Sequence, residues 1–123
     1  MARDVKIPDA THPITVKPTG SRVTVRVGGV TVAESDSALS LAEASYPVVQ
    51  YIPLADVDQS LLSRTDSHTY CPYKGEASYY SLQTPGGTTE TDLIWTYDQP
   101  YDAVAEIAGH VAFYANRAEV SVG

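Results

Sequence analysis

Within seven residues, Thr69-Tyr70-Cys71-Pro72-Tyr73-Lys74-Gly75 gathers the only cysteine of the chain, one of its three lysines and two of its nine tyrosines. A thiol attacks as the thiolate, and a neighbouring ammonium is one of the standard means of favouring that form. Lys74 lies three residues from Cys71, near enough across a Pro/Gly turn to act in that way. His68, three residues before Cys71, is placed to serve as a base toward the thiol. The alternative is that Cys71 is a small core hydrophobe and Lys74 a surface charge. Glu43 joins the same chemistry. On an alternating segment it shares a face with Leu39 and Leu41, and a carboxylate turned inward needs a cation. Lys74 is the candidate, because Lys6 and Lys17 sit in a proline-rich leader; a solvent-facing Glu43 is the other reading. Tyr51 adds a phenol at a strand end.

Other signatures are missing. No glycine-rich loop ends in Gly-Lys-Ser/Thr, no dinucleotide-binding glycine triplet occurs, and no Gly-x-Ser-x-Gly elbow is present. His12, His68 and His110 are scattered without metal-ligand spacing. His110 reads more simply as packing or as a contact at a helix end. Asp56 and Asp58 are explained by capping. Eight Lys plus Arg against fifteen Asp plus Glu give a net charge of -7, which argues against nucleic acid as a partner. One cysteine excludes an internal disulfide and a multi-thiolate zinc site. The first eight residues lack the apolar core of a secretory signal, and no run reaches the roughly 18 residues of a membrane span. A cytoplasmic protein with no membrane partner, no metal and no cofactor is expected.

The elements that must position these residues read mainly as strands. Residues 1–20 carry Pro8, Pro13 and Pro18 and form an extended leader; residues 21–123 form a single domain. Arg22 to Val27 and Val30 to Ala33 alternate around Gly28-Gly29, the pattern of a two-residue hairpin. Its expected register sets Val27 opposite Val30, Arg26 opposite Thr31 and Val25 opposite Val32. Ala38 to Glu43 alternates as a strand although its Ala and Glu content also suits a helix, and the strand reading is preferred because Tyr46-Pro47 turns into a strand-like Val48 to Ile52. A short helical excursion follows from Pro53 to Leu62. Ala77 to Leu82 and Thr91 to Tyr97 flank the turn Pro85-Gly86-Gly87, and alternation puts Leu93, Trp95 and Tyr97 on one face. Val104, Ile107, Ala108 and Val111 fit a helical spacing over Ala103 to Ala108, with Asp102 as N-cap and Gly109 as stop. Ala118 to Val122 closes as a strand. The sum is a mainly β fold, a compact antiparallel rolled sheet or small barrel with one or two short helices.

Four blocks in order resemble a known family: Glu43 with Tyr46-Pro47, Tyr51-Ile52-Pro53 and Asp56-Val57; Tyr70 to Gly75 with Ala77, Tyr79 and Tyr80; Trp95, Tyr97 and Pro100; and Ile107 through Tyr114. Together they resemble the small bacterial and fungal domain of unknown function 427, over about Arg22 to Val122. The resemblance implies a compact β-rich domain and a shared cleft carrying Glu43, Tyr51, Thr69, Cys71, Lys74, Gly75, Tyr80, Trp95 and Tyr97. The family is sometimes labelled nucleotidyltransferase-like. Here Gly20-Ser21 is not followed by the paired aspartates that hold catalytic magnesium, and the acidic balance offers phosphates no general attraction.

The leading expectation is therefore a domain that binds an unidentified small molecule in a Tyr/Trp-lined cleft. Cys71, Lys74 and Glu43 are its candidate catalytic groups if it is a cofactor-independent enzyme. The alternative is a β-domain that pairs with itself or another protein through the valine face of the first hairpin or the edge near Val120, and a homo-oligomer is compatible with both. A metal-dependent hydrolase using His68, Cys71 and a carboxylate is a third class.

Overall fold

A computed structural model describes residues 3–123. Ten strands form two antiparallel sheets. They are β1 (Ile14–Pro18), β2 (Val23–Val27), β3 (Val30–Ser35), β4 (Leu39–Glu43), β5 (Val49–Pro53), β6 (Leu62–Cys71), β7 (Gly75–Gln83), β8 (Thr89–Tyr97), β9 (His110–Phe113) and β10 (Glu119–Val122). The large sheet has the order β1-β4-β5-β9-β8-β7-β6, and the small one β10-β2-β3. The fold is mainly β, as the alternation predicts, and no helix of the described residues is long and apolar enough to cross a membrane.

The small sheet covers one face of the large one. Val23, Val25, Val27 and Val32 pack with Ile52, Leu82, Ile94, Val111 and Phe113 into the first core. The valine face of the first hairpin is thus interior and cannot be the docking surface expected for it. Val27 opposite Val30 and Arg26 opposite Thr31 hold, but Val25 faces Ala33 instead of Val32, because a bulge follows Val25. A bulge sets two residues against one, so every later pair slips by one position. The leader is only partly a leader: Ile14–Pro18 pair along β4 as the edge strand of the large sheet.

The opposite face of the large sheet carries a second core of Leu41, Tyr51, Ala77, Tyr79, Tyr97 and Ala112, closed by Val104 and Ile107. Those last two come from the segment expected to be the best helix. Asp102–Ile107 instead forms 3-10 turns broken at Val104 (φ -130°), and the cap residue is Tyr101 with no side-chain cap bond. A spacing of three fits a 3-10 turn as well as an α-helix, and the remaining residues of the helical pattern go elsewhere: Ala108 is exposed and Val111 lies in β9. The excursion after Pro53 is likewise two 3-10 turns, Leu54–Asp56 and Gln59–Leu61, with Asp58 capping the second through Ser60 N–H.

A second bulge decides where Trp95 points. The β7–β8 register slips between Tyr80 and Leu82, at Asp92 (φ +50°). Leu93 therefore joins Ile94 in the first core, while Trp95 and Tyr97 face the second. Strict alternation had put Leu93 with Trp95. Asp92 holds the bend by accepting from Thr65 Oγ1 (2.7 Å) and Ser67 Oγ (2.6 Å), while its N–H donates to Ser81 Oγ. Asp tolerates left-handed backbone because its short side chain bonds locally; alanine pays about 1–2 kcal/mol there. Urea denaturation of Asp92→Ala is expected to show a loss of that size, with Asp92→Asn losing less than half as much. Equal losses would assign the bend to packing alone.

Candidate functional site

On the second face the large sheet opens into a cavity of about 180 Å³. Leu41 and Glu43 reach it from β4, Val49 and Tyr51 from β5, Tyr79 from β7, and Trp95 and Tyr97 from β8; Tyr46, Pro47, Lys74 and Tyr114 complete the wall. β4, β5 and β8 each contribute two alternate residues, so the sheet's pleat turns these side chains to one face.

The charged end is a chain of three groups. Glu43 accepts from Lys74 Nζ through Oε1, and its Oε2 lies 2.8 Å from His12 Nε2. The side chains of Lys74 and Glu43 are only 11% and 15% exposed, so each is the main compensation for the other's loss of water. His12 is stacked flat on Tyr73, with ring centroids 4.1 Å apart. Burial alone would push the Glu43 carboxyl up; the hydrogen bonds from Lys74 and His12, with their charges, outweigh it and hold the group below its ordinary range. An ammonium has three N–H donors; Glu43 takes one of those of Lys74, which also lines the cavity.

The rest of the wall is aromatic. Trp95 Nε1 donates to Tyr51 Oη (3.1 Å), the two rings meet edge-on, and Tyr114 packs tilted on Trp95 at 4.7 Å. The Tyr79 hydroxyl joins Thr69 Oγ1 (2.8 Å) to the Tyr114 hydroxyl (3.4 Å). Burial pushes the phenols of Tyr51 and Tyr97 well up. It also pushes Tyr114 up to about 12, helped by its bond to Tyr79. At neutral pH these three groups are hydroxyl donors, not phenolate bases. The cavity thus offers one ammonium, several O–H donors and apolar ring faces, a set suited to an oxygen acceptor on an apolar body.

Of the expected site residues, Glu43, Lys74, Tyr51, Trp95 and Tyr97 line the cavity together. Thr69 stands behind it, orienting Tyr79. Cys71 is half-buried at the end of β6, packed in the second core, and is not part of the wall. Lys74 meets Cys71 through the backbone turn, its N–H on the Cys71 carbonyl, while its side chain goes to Glu43. His68 does not support the thiol either. Three residues apart on a strand is the opposite face, and its ring lies against Ser78 and Glu76. Gly75 is structural: with φ +112°, it abuts the Gln99 carbonyl. Tyr80 is turned to the other face of β7, where Arg64 donates to its hydroxyl. Tyr79 takes the place expected for Tyr80. Consecutive residues on a strand face opposite ways, so only one of the pair can line the cavity. Tyr46 and Tyr114 were not anticipated as wall residues, nor His12 as a partner of Glu43; Tyr46 stood in the first block of the resemblance and Tyr114 ended the fourth, whereas His12 carries no periodic signal. Among the described residues no three His, Cys, Asp or Glu side chains assemble as a metal site.

A family model described as a domain of unknown function (DUF427) matches residues 15–123. No curated protein matches the sequence.

Proposed function

The chain belongs to the domain of unknown function 427 family, and from that premise we propose that it is a small-molecule-binding domain. Its ligand has an apolar body and a carboxylate or carbonyl end. The observation that carries this reading is the convergence of Lys74 and protonated phenols on one aromatic cavity. The acceptor end lies against Lys74; the apolar body lies against Trp95, Leu41 and Val49. An engineered apolar cavity of about 150 Å³ takes a benzene, so a volume of about 180 Å³ suits a single ring or a short chain. The net charge of -7 gives an anion no long-range help, and affinity rests on contacts within the site. Lys74 acts by holding the ligand, with Glu43 and His12 fixing its position. The unpaired thiol fits a reducing, cytoplasmic setting.

Trp95 is the only tryptophan, so tryptophan emission comes from the wall of this cavity. Titration with benzoate, phenylacetate, butyrate and benzaldehyde is expected to give saturable changes in that emission for at least the carboxylates. A charge-assisted hydrogen bond contributes about 1.5–3 kcal/mol, so Lys74→Met should weaken binding about 10- to 100-fold. No saturable change with any member at millimolar concentration would overturn the reading.

A further inference from the structure

The sheet does not close fully beside the cavity. β5 and β9 share only two register pairs, Ile52↔Val111 and Pro53↔His110. Continued pairing would bring Gln50 opposite Phe113, but the strands part before that point. Both residues instead line a groove of about 430 Å³ on the far side of the parting. The rest of that groove includes Val48, Ile52, Val120 and Val122, and no charged side chain lines it. Val48 and Val122 are 55% and 52% exposed. The groove and the cavity share Tyr46, Pro47, Val49, Trp95 and Tyr114 as a common wall.

We propose that cavity and groove are the two ends of one site, and that its ligand is a linear acyl compound of medium chain length. The inference rests on the small-molecule reading above and names the ligand class for it. The carboxylate or carbonyl end sits in the cavity at Lys74, where the donors are. The chain leaves past Trp95 through the fork between β5 and β9 and lies along Val48, Ile52, Phe113 and Val120. Three observations favour this occupant. The charged groups are confined to the cavity, the groove is lined mainly by apolar side chains, and the pairing of β5 with β9 stops beside the residues that the two share. A single compact ring would leave the groove uncovered, whereas a chain covers it. The occupant argued for is a free acyl chain; a second copy of the protein is the rival outcome.

The test is a chain-length series, butyrate through dodecanoate below the micellar range, read by Trp95 emission and by calorimetry. Removing a methylene from water favours binding by up to fourfold. The expected result is a two- to fourfold tightening per methylene to a plateau near ten carbons, with a slope that flattens in Val48→Asp and Val122→Asp. Both positions are exposed, so the variants fold. If butyrate and benzoate bind but affinity does not rise with length, the acyl inference is overturned and the cavity reading stands. If nothing in either series binds, both fall. If sedimentation shows a dimer that Val48→Asp dissociates, and chain length has no effect, the groove is a subunit interface and the inference is wrong.

Discussion

Glu43→Ala is expected to destabilise the domain by about 2 kcal/mol. The size follows from where the ion pair sits. Exposed pairs contribute about 0–1 kcal/mol, and removing one partner of a fully buried pair costs about 3–5 kcal/mol. Lys74 and Glu43 are mostly buried yet border an open cavity, which sets the cost between those limits. The alanine leaves the Lys74 ammonium half-dry without its acceptor, and it frees His12 from the carboxylate that holds it against the domain. Replacing both partners by apolar groups, Glu43→Leu with Lys74→Met, removes the orphaned charge and should recover most of the loss in stability while leaving carboxylate binding weak. A double variant as unstable as Glu43→Ala would show that the pair holds the fold together by geometry rather than by mutual neutralisation.

The same pair makes a pH prediction with a definite sign. Glu43 ionises below its ordinary value of about 4.5 in the folded protein. A depressed folded pKa means that the unfolded chain takes up the proton first as acid is added. The stabilisation is complete above about pH 4.5 and is lost as pH falls through the folded value. Glu43→Gln has nothing to titrate there, so its stability should fall less steeply than the wild type's below pH 4.5. Asp92 and the surface carboxylates Asp9 and Asp36 are also held low, but they are common to both proteins and cancel in the comparison. Parallel acid limbs would mean that Glu43 carries no net charge linkage.

The residues that sequence reasoning located correctly are those whose position depends on local rules. Gly28-Gly29 forces a hairpin wherever it is flanked by alternating valines, and both glycines indeed take positive φ. The link from Glu43 to Lys74 was legible because burial needs a countercharge and only one lysine lay outside the leader. What stayed hidden depends on partners far away in the chain. The face of Leu93 turns on a bulge at Asp92 that Thr65 and Ser67 stabilise from β6, so no window around Leu93 contains the information. Tyr79 and Tyr80 are equivalent until the register to β8 is known. His12 reaches the site only because β1 pairs with β4 and sets the preceding turn beside Glu43. The fork between β5 and β9 is a failure of pairing, and the residues on either side of it look like ordinary strand. Cys71 shows the opposite case: its rarity in the sequence draws attention to it, while the fold packs it in the second core outside the cavity wall.

Trp95→Ala should be the most damaging single change to the site, costing about 3 kcal/mol in stability and abolishing measurable binding of both benzoate and decanoate. Large-to-small truncation of a buried aromatic costs about 3–5 kcal/mol, and Trp95, half-buried, belongs at the low end. The indole supports the site in two separable ways. Its ring faces pack on Tyr114 and form the wall common to cavity and groove. Its N–H is the donor that satisfies Tyr51, which is 1% exposed. Trp95→Phe keeps a ring but deletes the donor, and a lost buried hydrogen bond costs about 1–3 kcal/mol. If packing dominates, the Phe variant retains most stability and binds within about fivefold of wild type by calorimetry, which needs no indole. If it behaves like alanine, the wall works through the Trp95–Tyr51 bond, because the Tyr51 oxygen then lacks the donor that fixes its ring in the wall. The chain-length series in the Phe variant then separates these roles: a preserved slope assigns the passage to ring shape, and a lost slope assigns it to the orientation that the hydrogen bond imposes.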